Sequence, residues 1–331
     1  MKKIVTLFLA TVITITSVRP CTTFVLKTRN GLYFGRNLDW VSDHGLVLVN
    51  QRNTAKTSFV FAPEQSIQWT SKYGSVSFNQ FGKEFPFGGI NEKGLVIEIM
   101  ISEAEYAEYD DRPVVNELQW VQYQLDNCST IEEVIATDSK LRIGQAHEGL
   151  HYLICDAQGN TAVIEFINGK MVSYKGDDLP VSVLENESYE KSMEGFKNDE
   201  KCRFTTAADM VKKYNGSNGV EYSFEILQEV ALSAEWSVVY DITKKQIHFR
   251  TITNEKIRIV DMASFDFGCD SSSLSYNIAQ DNKGNINDKF VKLNSGKNTE
   301  ILKKAMELNM VNLEEEQRNQ LLGYFKEARC N

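Results

Sequence analysis

The chain reads Cys-Thr-Thr-Phe-Val-Leu-Lys-Thr over residues 21–28, Arg-Asn-Gly over 29–31 and Leu-Tyr-Phe-Gly-Arg-Asn-Leu-Asp-Trp over 32–40. An Asn-Gly pair between two apolar runs is a strong signal for a tight turn between antiparallel strands. We therefore predict a β-hairpin at the start of the fold. Pairing of its two strands across this turn brings Arg36 and Asp39 to the level of Cys21.

A hydrophobic leader precedes the hairpin. Lys2 and Lys3 are positively charged, and the 15 residues of Ile4–Val18 include only threonine and serine as polar side chains. A stretch of this length is shorter than the ~20 residues that span a bilayer. We therefore expect residues 1–20 to be an export signal with a short propeptide, and no stable membrane anchor. The mature protein would be periplasmic or extracellular.

Removal of the leader would make Cys21 the first residue, with a thiol and a free α-amino group on one residue. A thiol with its ordinary pKa is only partly ionised at pH 7, whereas an N-terminal amine, with a pKa of about 7.7–8.0, can act as its base. This predicts an amide hydrolase with an N-terminal nucleophile. Arg36 would favour the thiolate and Asp39 would accept a hydrogen bond from the amine. An alternative is that Arg36 and Asp39 are only an ion pair at the end of the sheet.

The composition argues against several classes of function. Acidic residues outnumber basic ones, 45 to 36, and the net charge of −9 argues against a nucleic-acid partner. The six cysteines form no C-x-x-C pair and no cluster with histidine at metal-ligand spacing. The sequence contains no glycine-rich phosphate loop. We therefore expect neither a metal nor a cofactor. Five cysteines remain besides Cys21, so at least one of them is a free thiol.

Blocks of strands alternate with pairs of helices along the rest of the chain. Strands joined by tight turns favour an α+β fold of antiparallel sheets covered by helices over a doubly wound parallel sheet. No Pro- or Ser-rich linker divides the chain, so we expect residues 21–331 to form one domain. The local patterns predict a strand over 57–61, a helix over 114–126, a further helix opened by Thr130, an exposed loop over 277–297, and closing helices over 299–308 and 313–328.

Six motifs of this chain occur together in one known family. They are Cys-Thr-Thr-Phe at 21–24, Tyr-Phe-Gly-Arg-Asn-Leu-Asp-Trp at 33–40, Ile-Asn-Glu-Lys-Gly-Leu at 90–95, Leu-His-Tyr-Leu-Ile at 150–154, Val-Leu-Glu-Asn at 183–186 and Lys-Cys-Arg-Phe at 201–204. With these motifs the chain resembles the choloylglycine hydrolase family, to which bile salt hydrolases and penicillin V acylases belong. The resemblance covers most of the chain after residue 20, and its most specific part is Gly-Arg-Asn-Leu-Asp-Trp.

The resemblance implies an αββα four-layer sandwich of two antiparallel sheets, the fold of N-terminal-nucleophile hydrolases. It also implies hydrolysis of a linear amide C–N bond through a thioester. By position, Cys21 would be the nucleophile and its amine the base, with Arg36 and Asp39 framing them. Asn186 matches the asparagine that helps to form the family's oxyanion hole. Arg203 matches the second active-site arginine, which stabilises charge near the thiol.

The chain departs from the family pattern in two places. The family's second oxyanion residue, an asparagine or a tyrosine, corresponds to Ile101, so the oxyanion would rely more on backbone N–H groups. Bile salt hydrolases carry a long insertion that supports tetramers, and only a short segment separates Asn186 from Arg203 here. A homo-oligomer therefore stays open, but a tetramer is not implied.

The expected substrate is a small N-acyl amide with an apolar acyl group, such as a bile salt conjugate or a fatty acid amide. Penicillin V acylase or acyl-homoserine lactone acylase activity is the alternative within this class. In a different class, Cys21 would be the lipid-modified cysteine of a non-enzymatic exported lipoprotein. The residues before it, Arg19 and Pro20, fit the small residues of a lipoprotein signal poorly.

Side chains outside the motifs supply further candidates. The acidic stretch Glu103–Asp111 predicts an exposed loop that could edge the substrate entrance. The four histidines offer a cysteine–histidine pair in principle, but none has a diagnostic context; they are His44, His147, His151 and His248. Candidates for an acyl pocket are Phe24, Phe61, Phe85, Phe87 and Met100.

Overall fold

The computed structural model describes residues 21–324 and 329–330, so the leader predicted at residues 1–20 lies outside the described range. The α-helices of this range are α1 (Glu117–Asn127), α2 (Ile131–Ala136), α3 (Tyr189–Lys197), α4 (Arg203–Lys213), α5 (Gly219–Glu229), α6 (Ser295–Leu308) and α7 (Glu315–Tyr324). None of the helices in the described residues is both long and apolar enough to cross a bilayer.

The strands of the described range are short. Those of the first half are β1 (Thr22–Lys27), β2 (Leu32–Leu38), β3 (Leu46–Asn50), β4 (Thr54–Thr57), β5 (Gln68–Thr70), β6 (Ser75–Asn79), β7 (Gly88–Asn91), β8 (Val96–Ile101), β9 (Val114–Val115), β10 (Arg142–Ile143) and β11 (Leu150–Cys155). Those of the second half are β12 (Thr161–Ile167), β13 (Lys170–Lys175), β14 (Val183–Leu184), β15 (Trp236–Asp241), β16 (Gln246–Thr251), β17 (Arg258–Asp261), β18 (Leu274–Asn277), β19 (Gly284–Asn285), β20 (Val291–Lys292) and β21 (Arg329–Cys330).

Two large sheets form the body of the fold. The first has seven strands in the order β14-β1-β2-β15-β16-β17-β19, and the second has nine in the order β13-β12-β11-β8-β7-β6-β3-β18-β20. The central pairs are antiparallel, and β17 and β19 pair in parallel at one edge. Helices α4 and α5 cover the first sheet and α1 covers the second. The predicted α+β fold, an αββα sandwich, is therefore confirmed.

The inner faces of the two sheets pack together through aromatic rings. The ring of Phe78, on β6, lies 5.4 Å from that of Phe249, 5.9 Å from that of Trp236 and 6.3 Å from that of Tyr240, all on the first sheet. All four side chains are buried. Because each such ring buries roughly 150–250 Å² of surface, this core joins the sheets into one rigid frame. Side chains that project from either sheet into the space between them are positioned by that frame.

The strand predicted over Thr57–Phe61 is wrong, because β4 ends at Thr57. Beyond it, the backbone N–H of Phe59 donates to Gln119 Oε1 at 2.6 Å, and that of Phe61 donates to Gln145 Oε1 at 2.7 Å. Side chains therefore satisfy these backbone groups in place of a neighbouring strand. The segment leaves the sheet, and both phenylalanines line a cavity.

The helix predicted from Val114 begins three residues later. Val114 belongs to β9, which pairs with β10, and Asn116 is the N-cap of α1. The Asn116 side-chain oxygen accepts the backbone N–H groups of Leu118 at 3.1 Å and Gln119 at 2.8 Å, as asparagine commonly does at this position. The predicted cap at Thr130 is confirmed, since its hydroxyl accepts the N–H of Glu133.

The other differences lie in two connecting segments. The loop predicted over residues 277–297 contains β19, β20 and the first turn of α6, which Asn294 caps. Helix α3 was not predicted, although Ser188 caps it. The closing helix predicted over residues 313–328 is confirmed as α7 over Glu315–Tyr324. Residues 325–328 lie outside the described range.

Candidate active site

The hairpin of β1 and β2 places Cys21 beside Asp39, as the sequence predicts. Cys21 directly precedes β1, in which Thr23 pairs with Arg36 of β2. The Cys21 side chain is 2% exposed, and its Sγ lies 4.0 Å from the Asp39 carbonyl oxygen. Because side chains alternate along a strand, Cys21, Thr23 and Arg36 project to the same side, into the space between the sheets.

Arg36 crosses the space between the sheets. Its Nε lies 2.9 Å from Glu98 Oε2 on β8, and its Nη2 donates to the Ile99 carbonyl at 3.4 Å. The Tyr240 hydroxyl, from β15, donates to the other Glu98 oxygen at 2.5 Å. Arg36 and Glu98 are each 1% exposed. A buried guanidinium needs such a partner, since removing one member of a buried ion pair leaves an uncompensated charge.

Burial changes the protonation of both the thiol and this carboxyl group. It raises the pKa of Cys21, while the positive charges of Arg36 and, more weakly, Arg203 act in the opposite direction. The buried thiol is therefore protonated at neutral pH and needs a base before it can act as a nucleophile. Burial also raises the pKa of Glu98 to about 7, although Arg36 and the Tyr240 hydroxyl lower it. The charge next to Arg36 thus changes near neutral pH.

Asp39 has one oxygen bound by the fold and one oxygen without a hydrogen-bond partner. Its Oδ1 accepts the backbone N–H groups of Ser233 and Ala234, each at 2.7 Å, and of Leu232 at 3.3 Å. Its Oδ2 is buried and has no hydrogen-bond partner within the described residues. A buried acceptor without a partner is costly. Asp39 therefore offers an open acceptor on a residue that contacts Cys21.

Arg203 binds the backbone around Cys21. It is the first residue of α4, and its Nη1 donates to the Cys21 carbonyl and to the Thr22 hydroxyl, both at 3.0 Å. Its Nη2 lies 3.3 Å from Glu185 Oε2. The neighbouring Cys202 caps α4, because its Sγ accepts the N–H of Thr205 at 3.4 Å. Arg203 thus fixes the position of Cys21 through main-chain and hydroxyl contacts.

Asn186 and Ile101 are the two positions that the resemblance associates with an oxyanion hole, and they are in direct contact. The Asn186 Nδ2 donates to the Ile101 carbonyl at 2.9 Å. An amide nitrogen carries two hydrogens, and this bond uses one of them. The Asn186 Oδ1 is buried and has no hydrogen-bond partner in the described chain. The isoleucine side chain cannot serve as a donor, but its carbonyl orients the amide of Asn186.

An apolar cavity of about 490 Å³ opens onto Cys21 and Arg36. Its volume lies within the range of roughly 300–1,000 Å³ that is typical of ligand pockets. Met100 and its neighbours on β8 form one wall, and residues before and within α7 form another. Aromatic side chains complete the lining: Trp40, Phe59, Phe61, Phe81, Phe85 and Phe87.

Of the five residues predicted for an acyl pocket, Phe61, Phe85, Phe87 and Met100 line this cavity, and Phe24 is not among its lining residues. Phe24 pairs with Gly35 on the opposite face of the hairpin, where a Cβ on that glycine would lie 2.3 Å from the phenylalanine ring.

The loop Glu103–Asp111 contributes none of the lining residues described here. Hydrogen bonds tie it instead to the β12–β13 turn. Glu105 N donates to the Phe166 carbonyl at 2.9 Å, and Glu105 Oε2 accepts the N–H of Asn168 at 2.8 Å.

Few charges face the cavity. Arg36 is the only lysine or arginine among its described lining residues, and Glu98 pairs with it. Glu117 and Glu148 also line the cavity. The Glu117 carboxylate accepts the backbone N–H of Glu148 at 3.4 Å, and burial raises its pKa. A cavity with this lining suits an acyl group without negative charge.

None of the four histidines hydrogen-bonds to Cys21 in the described residues. His151 is buried, and its Nδ1 lies 3.1 Å from Glu165 Oε1, which also accepts the N–H of Tyr189. His44 contacts the Ile301 carbonyl, and His147 lines the cavity. A conventional cysteine–histidine pair therefore finds no support in this geometry.

Sequence reasoning missed Glu98 and Tyr240. Glu98 did carry a signal, because it is the single charged residue in the apolar run Val-Ile-Glu-Ile-Met-Ile at 96–101, and such residues are seldom buried without a partner. Tyr240 carried none, since an aromatic residue in a strand is ordinary.

The chain is similar to hydrolases of linear amides. The family model of the linear amide C–N hydrolases, choloylglycine hydrolase family, matches residues 21–193. A penicillin V acylase from Pectobacterium atrosepticum is 32% identical over 181 residues, which are 49% of this chain and 48% of that protein. The match thus spans about half the length of this curated relative.

Two solved structures resemble the fold. The penicillin V acylase from Agrobacterium tumefaciens has a TM-score of 0.73 at 23% identity, covering 83% of this chain and 98% of that one. A variant of the conjugated bile acid hydrolase from Clostridium perfringens has a TM-score of 0.66 at 17% identity, covering 78% and 97% respectively. At these identities the likeness shows a shared fold.

Proposed function

This chain belongs to the linear amide C–N hydrolases of the choloylglycine hydrolase family, and we propose that it hydrolyses a small N-acyl amide through a thioester on Cys21. Removal of residues 1–20 would free the α-amino group of Cys21, which is bonded to Pro20 in the full chain. One observation carries the proposal: the Cys21 thiol lies at the polar end of an apolar cavity, between Arg36 and Asp39.

The reaction proceeds in two stages. Cys21 Sγ attacks the amide carbonyl carbon while the α-amine takes the thiol proton. The tetrahedral intermediate then collapses and its C–N bond breaks. The α-amine of Cys21 passes the proton to the nitrogen of the substrate, which leaves as the free amine product. Water attacks the resulting thioester, again giving a proton to the α-amine, and the acid is released as the thiol reforms. The open Oδ2 of Asp39 accepts a hydrogen bond from the α-amine and orients it.

Three side chains assist the nucleophile in this proposal. The guanidinium of Arg36 stabilises the thiolate, and Arg203 holds the Cys21 carbonyl so that the thiol faces the cavity. The second hydrogen of Asn186 Nδ2 donates to the oxyanion of the tetrahedral intermediate, together with backbone N–H groups. The Ile101 carbonyl fixes the orientation of this amide.

The lining of the cavity supports a substrate with an apolar, uncharged acyl group. Fatty acid amides fit this description, and a bile acyl group is the second candidate of this kind, supported by the fold shared with a conjugated bile acid hydrolase. Penicillin V is the runner-up, because the curated relative is a penicillin V acylase. An acyl-homoserine lactone offers the same acyl chemistry with a different amine.

Export, cleavage before Cys21 and the single-domain organisation are also parts of the proposal. The protein would be exported, cut before Cys21, and act as one domain over residues 21–331 without a stable membrane anchor. The rival hypothesis, a lipoprotein acylated on Cys21, does not explain the apolar cavity or the open oxygen of Asp39. The intact mass of the exported protein separates the two, since a lipid on Cys21 would exclude the hydrolase.

The direct test uses protein that begins at Cys21. Turnover of taurocholate, oleoylethanolamide, penicillin V and a long-chain acyl-homoserine lactone is measured by release of the amine. We expect at least one substrate to be hydrolysed, and Cys21→Ser to lower kcat/KM by about 10³-fold or more, because serine is a weaker nucleophile. Full activity of Cys21→Ser would refute the assignment of the nucleophile.

A matched cysteine variant controls for loss of a thiol as such. Cys202→Ser removes a half-buried thiol next to Arg203 and keeps a good N-cap for α4. We expect it to retain full activity. The uncut chain, in which Pro20 acylates the amine, should be inactive on every substrate, and an active uncut chain would exclude the α-amine as the base.

A further inference from the structure

The last described helix closes one side of the cavity with a single stripe of side chains. Val311 and Leu313, in the loop before α7, line the cavity together with Gln317 and Leu321 of the helix itself. Within α7, Tyr324 is the only buried residue. Residues 317, 321 and 324 follow the helical spacing of three and four and share one face. The remaining faces of α7 are largely open to solvent.

We propose that residues 309–324, the C-terminal wall, determine the length and shape of the acyl group that the enzyme accepts. This inference rests on the acyl-amide hydrolysis proposed above and names the element that selects its substrate. The favoured acyl groups are uncharged and either extended or flat, since they pack between the C-terminal wall and the aromatic side of the cavity. The C-terminal wall takes no part in the chemical steps.

One end of the C-terminal wall is attached to the catalytic hairpin. Trp40, which follows Asp39 directly, donates from its Nε1 to Asn309 Oδ1 at 2.6 Å. Asn309 in turn caps α6, because its Nδ2 donates to the Ala305 carbonyl at 2.8 Å. Both Trp40 and Asn309 line the cavity. Trp40 therefore fixes the start of the C-terminal wall, and Trp40 is adjacent in sequence to Asp39, the residue proposed to orient the α-amine.

The other end is attached to the aromatic side of the cavity. The Tyr324 ring lies 5.3 Å from the Phe59 ring and 5.6 Å from the Phe85 ring. Its hydroxyl accepts from Gln119 Nε2 at 2.7 Å and donates to the Thr57 carbonyl. Phe59 and Phe85 are themselves lining residues, so this end of the C-terminal wall and the opposite side of the cavity share one aromatic cluster.

Beyond Tyr324 the chain is held a second time. The last described strand, β21, pairs with β4, and a disulfide joins Cys330 to Cys269. The C-terminal wall is thus a span with two fixed ends and no strand partner between them in the described residues.

The middle of the span is held by side-chain packing. Among the described residues, residues 312–323 hydrogen-bond only with one another; an example is Glu314 N to Gln317 Oε1 at 3.2 Å. The position of the middle over the cavity therefore depends on what packs beneath it. A substitution on the inward stripe changes the shape of the cavity while the sheets and the Cys21 hairpin stay in place.

The side chains of the C-terminal wall match a hydrocarbon. Val311, Leu313 and Leu321 are aliphatic, and Gln317 is the one amide between them. Each methylene group that moves from water into such a lining gains roughly fourfold in affinity. Acyl chains should therefore gain affinity with each added carbon until the cavity is full, and the C-terminal wall sets the length at which this gain stops.

The test compares straight-chain acyl amides of one fluorogenic amine, 7-amino-4-methylcoumarin, with even acyl lengths from four to sixteen carbons. The measured quantities are kcat, KM and kcat/KM for the Cys21-initiated protein and its variants. Leu321→Trp fills space beneath the C-terminal wall, and we expect the preferred length to fall, with a tenfold or larger loss for the longest chains. Leu321→Ala should move the preferred length upward. Both effects should lie in KM.

A matched control lies on the outer face of the same helix. Asn319 is exposed, so Asn319→Ala changes α7 without changing the cavity and should reproduce the parental length profile. Leu313→Ala, in the loop before the helix, provides a second inward variant if Leu321 variants fold poorly. Superimposable length profiles for the parent and the inward variants would overturn the proposal.

A binding measurement separates this inference from the proposed hydrolysis. Calorimetry with Cys21→Ser and primary fatty amides of six to sixteen carbons reports on the cavity without any chemical step. Length-dependent binding that shifts with Leu321→Trp supports the C-terminal wall as the selecting element, even if no amide is hydrolysed. If Leu321→Trp leaves the dependence of affinity on chain length unchanged, the inference is overturned. A failure of turnover alone counts only against the proposed hydrolysis.

Discussion

The two ends of the cavity are built differently. At the polar end, Cys21, Arg36, Asp39 and Glu98 are each 1–2% exposed, and their contacts join both sheets. At the C-terminal wall, α7 presents one stripe to the cavity and leaves its other faces to solvent. Groups that must meet a reacting atom need precise positions, whereas an acyl group needs only a complementary surface. We therefore expect substitutions at the polar end to alter kcat and those at the C-terminal wall to alter KM.

Among substitutions that keep the Cys21 thiol, the largest effect should come from Asp39→Asn. Asparagine keeps the carbonyl that accepts the N–H groups of Ser233 and Ala234, but it replaces the open oxygen, which is the proposed acceptor for the α-amine, with an N–H donor. Two donors would then face each other. Because a positioned base contributes about 10²–10⁴-fold, we expect kcat to fall by about 10³-fold with KM little changed. The measurement is steady-state turnover of the preferred amide.

Ser233→Ala is the control for Asp39→Asn. It removes the weak hydroxyl contact to Asp39 Oδ1 at 3.3 Å and leaves the three backbone donors in place. Its kcat should stay within about fivefold of the parent, since a hydrogen bond of an exposed hydroxyl contributes about 1 kcal/mol or less. A full rate in Asp39→Asn would instead make this residue purely structural, which is the alternative that the sequence left open.

At the polar end, only the residues that the hairpin itself brings together could be predicted from the sequence. The turn at residues 29–31 fixes the register of β1 and β2, so the nearness of Arg36 and Asp39 to Cys21 followed from the hairpin alone. Glu98 and Tyr240 come from β8 and β15, whose positions beside Arg36 depend on sheet order and on the packing of one sheet against the other. No local pattern contains that information.

At the C-terminal wall, an element was predictable from the sequence, but its contacts with the rest of the fold were not. A helix close to α7 was predicted, but the surface that its inward stripe contacts was not. Thr57–Phe61 was predicted as a strand because its residues favour strands, and glutamines from α1 and from residue 145 take its backbone hydrogen bonds instead. The strand prediction failed at Thr57–Phe61 because side chains distant in sequence satisfy its backbone, whereas the locally capped helix α3 was missed although its cap, Ser188, lies in the sequence next to it.

The next largest effect should appear in the pH dependence of stability. The pKa of Glu98 is raised from 4.5 to about 7 by burial, so the folded state retains a proton that the unfolded state has lost between these values. The contribution of Glu98 to the free energy of unfolding therefore falls by about 3 kcal/mol as pH rises from about 4.5 to 7, at 1.36 kcal/mol per pKa unit. Above pH 7 this contribution no longer changes. Glu98→Gln does not titrate and should lack this decrease.

Urea unfolding at pH 5 and pH 8 measures this difference. The change in unfolding free energy between the two pH values should be roughly 2–3 kcal/mol larger for the parent than for Glu98→Gln, because pH 5 already lies above the unfolded pKa of 4.5. Glu132→Gln, at a glutamate whose side chain is 59% exposed, serves as the matched control and should behave like the parent. An equal pH dependence in all three proteins would mean that Glu98 stays ionised in the fold.

A smaller effect is expected from Tyr240→Phe, which deletes one hydroxyl from the polar end. Above pH 7 this hydroxyl donates to a charged Glu98, and such bonds contribute about 1.5–3 kcal/mol. At pH 5 the carboxyl is neutral and the same bond contributes about 1 kcal/mol. The stability lost by Tyr240→Phe should therefore be larger at pH 8 than at pH 5, measured by urea unfolding. An equal loss at both pH values would contradict a titrating Glu98.

The smallest effect should come from the same change at the C-terminal wall, Tyr324→Phe. This substitution deletes the hydroxyl that joins Gln119 and Thr57, but it keeps the ring against Phe59 and Phe85. Loss of a neutral hydrogen bond costs about 1 kcal/mol, and here it loosens only the end of a span that lies away from the thiol. We expect KM for long acyl amides to rise by about threefold to fivefold, the equivalent of that energy, with kcat and the pH dependence of stability unchanged. Tyr240→Phe and Tyr324→Phe thus remove the same atom at opposite ends of the cavity. A fall in kcat for Tyr324→Phe would contradict the separation of the C-terminal wall from the chemical steps.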